Sequence, residues 1–283
     1  MRTTEEKYYS IHANQMLKQQ FAKIGYGSFG VVWKGIYKGD VVAIKQIRGD
    51  IEIDTQIKKE SDSLANINGH ENIVKLFGFS TFDNESYLVM EYMAGGSLAE
   101  LLHEKTNIKY TLGEGIHWLY QAAQAVAYLR ANSVRGAVHR DVQPGNMLLD
   151  GERKIIKICD FGCVRKVQTE MSRQGGIPVY LAPEIFNGYA YTEKSDVYSL
   201  GITIWEVLVR KIPFEEQVEK SYNIMLLRDI DENDLRPPLK DLTDAECPDD
   251  IQTLIQKCWD KDPKKRPSLQ GIVDILQLHI LKC

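Results

Sequence analysis

Residues 139–146 read His-Arg-Asp-Val-Gln-Pro-Gly-Asn, and fourteen positions after Asn146 comes Asp160-Phe161-Gly162. Moving a phosphoryl group to a hydroxyl requires a carboxylate near the attacking oxygen and further oxygen ligands for magnesium. Asp141, Asn146 and Asp160 are of the right types to supply these groups. Upstream lies Gly25-Tyr26-Gly27-Ser28-Phe29-Gly30, whose glycines let backbone amides come close to phosphate oxygens. The same spacing also opens dinucleotide-binding folds. Here a strand-like run follows instead of a helix, and Val42-Ala43-Ile44-Lys45 comes soon after. On an alternating strand Lys45 can point inward at the α- and β-phosphates. A cleft lysine needs a counter-charge. Glu60 fits, because Leu64 one turn on gives that helical face a reason to point inward; Glu52 and Asp62 read as exposed helix charges.

The elements that must carry these residues divide the chain. Between Phe21 and Met90, apolar and β-branched runs at 29–33, 41–47, 73–79 and 87–90 are broken by Gly and Asp turns, as strands are. A helical pattern over 52–67 interrupts them, with Ile53, Ile57, Leu64 and Ile67 at compatible spacing. After Gly95-Gly96 the character changes. Leu112, Ile116, Leu119, Ala123, Val126 and Leu129 form a helical stripe over 112–130, and 196–209 and 268–281 are similarly periodic. Strands first and helices afterwards indicate an α+β chain with two segregated lobes. The expected layout is a polar lead-in over 1–20, helical or extended, then a small β-rich N-lobe with one helix (21–90), a hinge (91–95) and a larger, mainly helical C-lobe (96–283). The last apolar stretch runs to the end of the sequence, so no regulatory tail is expected.

The 283 residues suffice for a substantial core, and 43% hydrophobic with 26% charged residues is ordinary for a globular protein. A net charge of −4 gives no reason to expect nucleic-acid binding or a polybasic anchor. The acidic stretch 231–250 and the basic cluster 261–266 read as solvated surface. Five cysteines without metal-ligand spacing suit a reducing compartment. No apolar run approaches the ~18 residues of a membrane span, and Met1–Ser10 has no apolar signal core. A cytoplasmic protein is expected.

Together with Ala182-Pro183-Glu184, Asp196 and Arg266, these spaced elements resemble the protein kinase family over about 20–283. Leu88-Val89-Met90-Glu91-Tyr92, Gly95-Gly96-Ser97-Leu98, Lys157-Ile158-Cys159 and Cys258-Trp259-Asp260-Lys261-Asp262-Pro263 are similar to the tyrosine-kinase-like group. Val42–Ile47 and Val167–Met171 resemble its transforming-growth-factor-β-activated branch of MAP kinase kinase kinases. The resemblance implies a bilobal protein kinase fold using ATP and Mg2+. It implies that Ile24, Gly25, Gly27, Gly30, Val32, Ala43, Met90, Glu91, Met93 and Leu148 line the nucleotide pocket with Lys45. Within that pocket Val32, Ala43 and Leu148 would sandwich adenine, Met90 would guard the back, and backbone groups of Glu91 and Met93 would bond the base. Asp141, with Lys45 and Glu60, would be catalytic, and Asn146 and Asp160 would bind the metal. Leu64, Leu76, His139 and Phe161 would stack in a column, Glu184 and Arg266 would form a buried ion pair, and Asp196 would orient the catalytic loop. Arg140 would meet a phosphate on the loop 163–179, at Thr169 or Ser172.

Two positions depart from the pattern. Serine/threonine kinases carry a lysine where this chain has Gln143, and a threonine where it has Ile177. Removing one donor from a site of developing negative charge typically costs ~10²–10³ in rate, so turnover is expected to be reduced. The reading is a serine/threonine kinase acting on a protein substrate, a MAP kinase kinase in a stress- or immune-type cascade, with adaptor proteins as further partners. The alternative is a weak or inactive kinase-fold adaptor that binds ATP and partner proteins.

Overall fold

The computed structural model describes residues 16–17, 22–27, 30–47, 69–82, 85–132, 138–159, 179–220 and 223–281. The chain divides into two compact units, Met1–Ala94 with Asn132–Val134, and Gly95–Ala131 with Arg135–Cys283. The first is built on a β-sheet and the second is mainly helical, which is the expected α+β class.

The sheet comprises β1 (Met16–Leu17), β2 (Lys23–Gly27), β3 (Gly30–Tyr37), β4 (Asp40–Ile47), β5 (Leu76–Phe82) and β6 (Glu85–Glu91). Its order is β1-β3-β4-β6-β5, with β2 also pairing with β3, and every pairing is antiparallel. Side chains alternate between the two faces. Val42, Ile44 and Val89 share one face and form its core, covered by Trp33, Tyr37, Phe77 and Tyr87. The register places Val32 beside Lys45, Lys34 beside Ala43, Ala43 beside Met90 and Lys45 beside Leu88, all on the opposite face.

Two boundaries differ from the sequence reading. The run expected at 73–79 becomes a strand only from Leu76. Ile73 and Val74 are buried ahead of it, in a turn where Asn72 N–H donates to His70 Nδ1 (3.1 Å) and Ile73 N–H to His70 O (3.2 Å). Their apolar character serves burial without strand pairing. Within the stretch read as a lead-in, Met16 and Leu17 pair with Tyr37 and Ile36. The helix expected over 52–67, and Glu60 and Leu64 with it, lies outside the described residues.

The second unit holds a small sheet of β7 (Gly96–Ser97), β8 (Met147–Leu149) and β9 (Ile156–Ile158). Its helices include α1 (Leu112–Asn132), α2 (Pro183–Phe186), α3 (Glu193–Val209), α4 (Glu215–Lys220), α5 (Asn223–Glu232), α6 (Leu239–Asp244), α7 (Asp249–Cys258) and α8 (Leu269–Ile280). Local chemistry starts the long ones. Thr111 Oγ1 accepts from Glu114 N–H (3.1 Å) while Glu114 Oε2 accepts from Thr111 N–H (2.7 Å), a reciprocal cap. Thr192 and Ser195 do the same for α3, and Ser268 caps α8. Helix α3 is buried along nearly its whole length, which makes it the axis of the unit. At Gly201 it runs so close to α7 that an added Cβ would stand 2.6 Å from Cys258 Cβ.

Candidate active site

Each unit carries one part of the candidate site. In the first, β2 and β3 form a hairpin in which Gly25 faces Val32 and Gly27 faces Gly30. The glycine motif is therefore strand–turn–strand, and the strand-to-helix geometry of a dinucleotide site is absent from it. A Cβ built at Gly25 would meet nothing within 4 Å, so its backbone is open to a ligand. Ile24 beside it is 38% exposed. Val32, Ala43, Lys45 and Met90 occupy the sheet face opposite the core cluster, and Lys45 is only 7% exposed.

At the end of β6, Glu91 N–H donates to Lys75 O (2.9 Å), and Glu91 Oε2 accepts from Lys75 N–H (3.2 Å). With its N–H so committed, the backbone group Glu91 can offer a base is its carbonyl. Met93 is buried, and among the described residues its N–H has no hydrogen-bond partner. Buried backbone donors are rarely left unpaired, so this group suits a ligand acceptor.

In the second unit the loop 138–146 follows α1. Asp196, near the start of α3, pins its backbone: Oδ2 accepts from His139 N–H (2.7 Å) and Oδ1 from Arg140 N–H (2.8 Å). Burial pushes the Asp196 carboxyl above the usual carboxylate range, with His139 and the two N–H donors pulling the other way. Arg140 sits in the left-handed region (φ 71°), a conformation that costs energy in a non-glycine residue and is held here by that bond. His139 Nδ1 accepts from Asp141 N–H (3.3 Å) and its Nε2–H donates to Cys159 O (3.2 Å), so the ring staples the loop to the end of β9.

Val142 and Pro144 are buried, while Asp141, Gln143 and Asn146 are partly exposed. In this extended stretch alternation sends Asp141 and Gln143 to the side opposite Val142. Asn146 Nδ2 donates to Asp141 Oδ2 (2.6 Å) and to Asp141 O (2.9 Å). That orientation leaves the Asn146 carbonyl oxygen as its acceptor, the hard ligand magnesium requires. Asn146 O also accepts from Cys159 N–H (2.9 Å), tying it to the residue just before Asp160. Gln143 Nε2 donates to Asp141 Oδ1. Leu148 lies on β8. Helix α1 supports the β8–β9 hairpin through Trp118 Nε1–H to Arg153 O (2.8 Å) and Gln121 Oε1 accepting from Ile156 N–H (2.7 Å).

Asp160, Phe161, Thr169, Ser172 and Ile177 lie outside the described residues, and so do the loop positions that contain them. The chain is described again from Val179, and there a network appears that the sequence did not disclose. Glu206 of α3, 2% exposed, accepts from Tyr180 O–H (2.7 Å) and engages His103 Nε2 (2.7 Å). Burial first, and then Glu206 and Asp141, push the Tyr180 hydroxyl well above its ordinary range. These partners are 26 and 103 positions from Glu206, so no local spacing signals them.

The expected ion pair is present. Arg266 donates through Nη1 to Glu184 Oε1 (2.7 Å) and through Nη2 to Oε2 (2.8 Å), with its side chain fully buried. Its remaining N–H groups reach Asp260 O (2.8 Å), Lys194 O (2.8 Å) and Lys261 O (3.4 Å), so all five donors are used.

Residues 18–277 match the model of the family described as "Protein kinase domain". The chain is similar to mitogen-activated protein kinase kinase kinase 7 of Drosophila melanogaster, with 40% identity over 254 residues, covering 90% of this chain and 36% of that protein. It is 41% identical to the Homo sapiens protein of the same name over 261 residues, covering 92% of this chain and 41% of the relative. The chain thus spans about two fifths of the length of these relatives. The branch anticipated from the motifs is the one in which these relatives fall.

Proposed function

Because this chain belongs to the protein kinase domain family, we propose that it transfers the γ-phosphate of ATP to serine or threonine hydroxyls of a protein substrate. The observation that carries this reading is Asp141, whose carboxylate is held by two side-chain amides on a backbone pinned by Asp196. An oriented carboxylate accepts the hydroxyl proton as the oxygen attacks phosphorus. Lys45, with Glu60 as its counter-charge, steadies the α- and β-phosphates. Val32, Ala43, Leu148 and Ile24 enclose the base with Met90 behind it, the Glu91 carbonyl and Met93 N–H bond its edge, and the backbone of Gly25, Gly27 and Gly30 approaches the phosphates. Asn146 and Asp160 hold magnesium, which when bound neutralises charge on the phosphate oxygens.

The relatives' names support a place at the MAP kinase kinase kinase tier, with a MAP kinase kinase as substrate and adaptor proteins as partners. Among the described residues no helix is long and apolar enough to cross a membrane, and the reading places the chain in the cytoplasm. Gln143 supports a second reading, an ATP-binding adaptor with little turnover. The uncharged amide gives the transferred phosphate no positive partner, and with Ile177 it would lower the rate by ~10²–10³ or more. The test is phosphate incorporation from radiolabelled ATP into a MAP kinase kinase, comparing the native chain with Asp141→Asn. Loss of incorporation in the variant is expected, and equal incorporation by both overturns the enzyme reading.

A further inference from the structure

Gln143 is more than a missing lysine. Its backbone is extended (φ −161°, ψ 160°) between the buried Val142 and Pro144, which aims its side chain along the loop's outer side. From there Nε2 donates to Asp141 Oδ1, while Asn146 Nδ2 donates to Oδ2 at 2.6 Å. The Gln143 Oε1 lies over Gly145, 3.7 Å from where a Cβ would stand. A carboxylate rotates about a broad, two-fold torsion. One donor leaves its plane free to turn, whereas two donors on different oxygens fix it. Each oxygen keeps a further acceptor site, so the carboxylate stays able to receive a hydroxyl proton.

We propose that Gln143 is a positioning residue, whose amide fixes the plane of the Asp141 carboxylate for the incoming hydroxyl. The inference rests on the kinase reading above and sharpens it: the chain keeps the orientation of its base and gives up only the charge near the phosphate. The consequence is a separation of two effects at one position. Gln143→Met preserves length and removes the donor, so orientation is lost. Gln143→Lys preserves a donor and adds the charge.

The test uses the full chain. Gln143→Met is expected to lower kcat by ~10–10², with KM for ATP and the melting temperature unchanged, because the side chain is only partly buried. Gln143→Lys is expected to match or exceed the native kcat. A second measurement needs no turnover. In 15N-labelled protein the Gln143 side-chain amide signal, identified by its loss in Gln143→Met, should move markedly in Asp141→Ala. Native-like kcat in Gln143→Met, or an amide signal indifferent to Asp141→Ala, overturns the inference while leaving the kinase reading intact. An amide signal that responds in a chain with no Asp141-dependent turnover overturns the kinase reading and the positioning role together, and shows the bond alone to be real.

Discussion

Arg266 shows how much one side chain can commit. Five N–H donors in a rigid planar fork meet the Glu184 carboxylate and three backbone carbonyls, away from water. A lysine at this position offers three donors from a single point and cannot serve that set. Arg266→Met strands the Glu184 carboxylate and is expected to cost ~3–5 kcal/mol, read as a lower midpoint in urea denaturation. Arg266→Lys is expected to recover only part of that loss. Lys45 gives a prediction about function at the same scale. If it meets phosphate, ATP with magnesium raises the melting temperature of the native chain by mass action. In Lys45→Met that rise should largely vanish while the unliganded melting temperature holds. An equal rise in both proteins would remove Lys45 from the nucleotide site.

At the scale of elements, α3 organises the helical unit by being buried nearly all round. It supplies Asp196 to the loop at 139–140, Ser199 Oγ to Tyr180 O (2.7 Å) and Glu206 to Tyr180 and His103. One helix therefore sets both the loop bearing Asp141 and the residues just ahead of Ala182-Pro183-Glu184. Tyr180→Phe deprives a buried carboxylate of one donor and is expected to destabilise by ~1–3 kcal/mol, measured by denaturant unfolding. A variant as stable as the native chain would show that water or another group replaces the hydroxyl without loss. Where α3 meets α7, Gly201→Ala forces a methyl against Cys258 Cβ. Neighbours held this tightly yield by shifting backbone, at a cost of ~1–3 kcal/mol, visible as a lower thermal midpoint. The sequence did not single out this glycine, because helical periodicity alone says nothing of how closely a second helix will approach.

For the molecule as a whole, the thiols report on folding. Burial pushes the Cys247 thiol up to about 12, aided by Asp250 and Asp249, and raises Cys258 further still. The thiolate is the reactive form. Near neutral pH both residues should resist alkylation in the native chain and react fully once it is unfolded, which mass spectrometry of the labelled peptides resolves. Fast labelling of Cys258 under native conditions would contradict the packing of α3 on α7. The charge runs at 231–250 and 261–266 also belong to this scale. Arg228–Glu232 (2.6 Å) and Lys211–Asp241 (2.8 Å) are surface pairs of the kind that contribute little to stability, in keeping with their reading as solvated surface.

The sequence by itself determined the family, the fold class and the chemistry on offer. These depend on residue type at short spacing: glycines in a hairpin, Asp141 five positions before Asn146, Thr111 and Glu114 capping a helix. Period-two alternation likewise put Lys45 on one face and Ile44 on the other. Only the tertiary structure decided which distant groups complete these local units. It matched Asp196 to the His139 and Arg140 amides, Glu206 to Tyr180 and His103, and Arg266 to its ring of carbonyls. The Gln143 amide, two positions from Asp141, was nearby in sequence, yet its role turned on a rotamer. Local pattern limits what a side chain can offer, whereas its partner is set by how buried polar groups find one another once the core has closed.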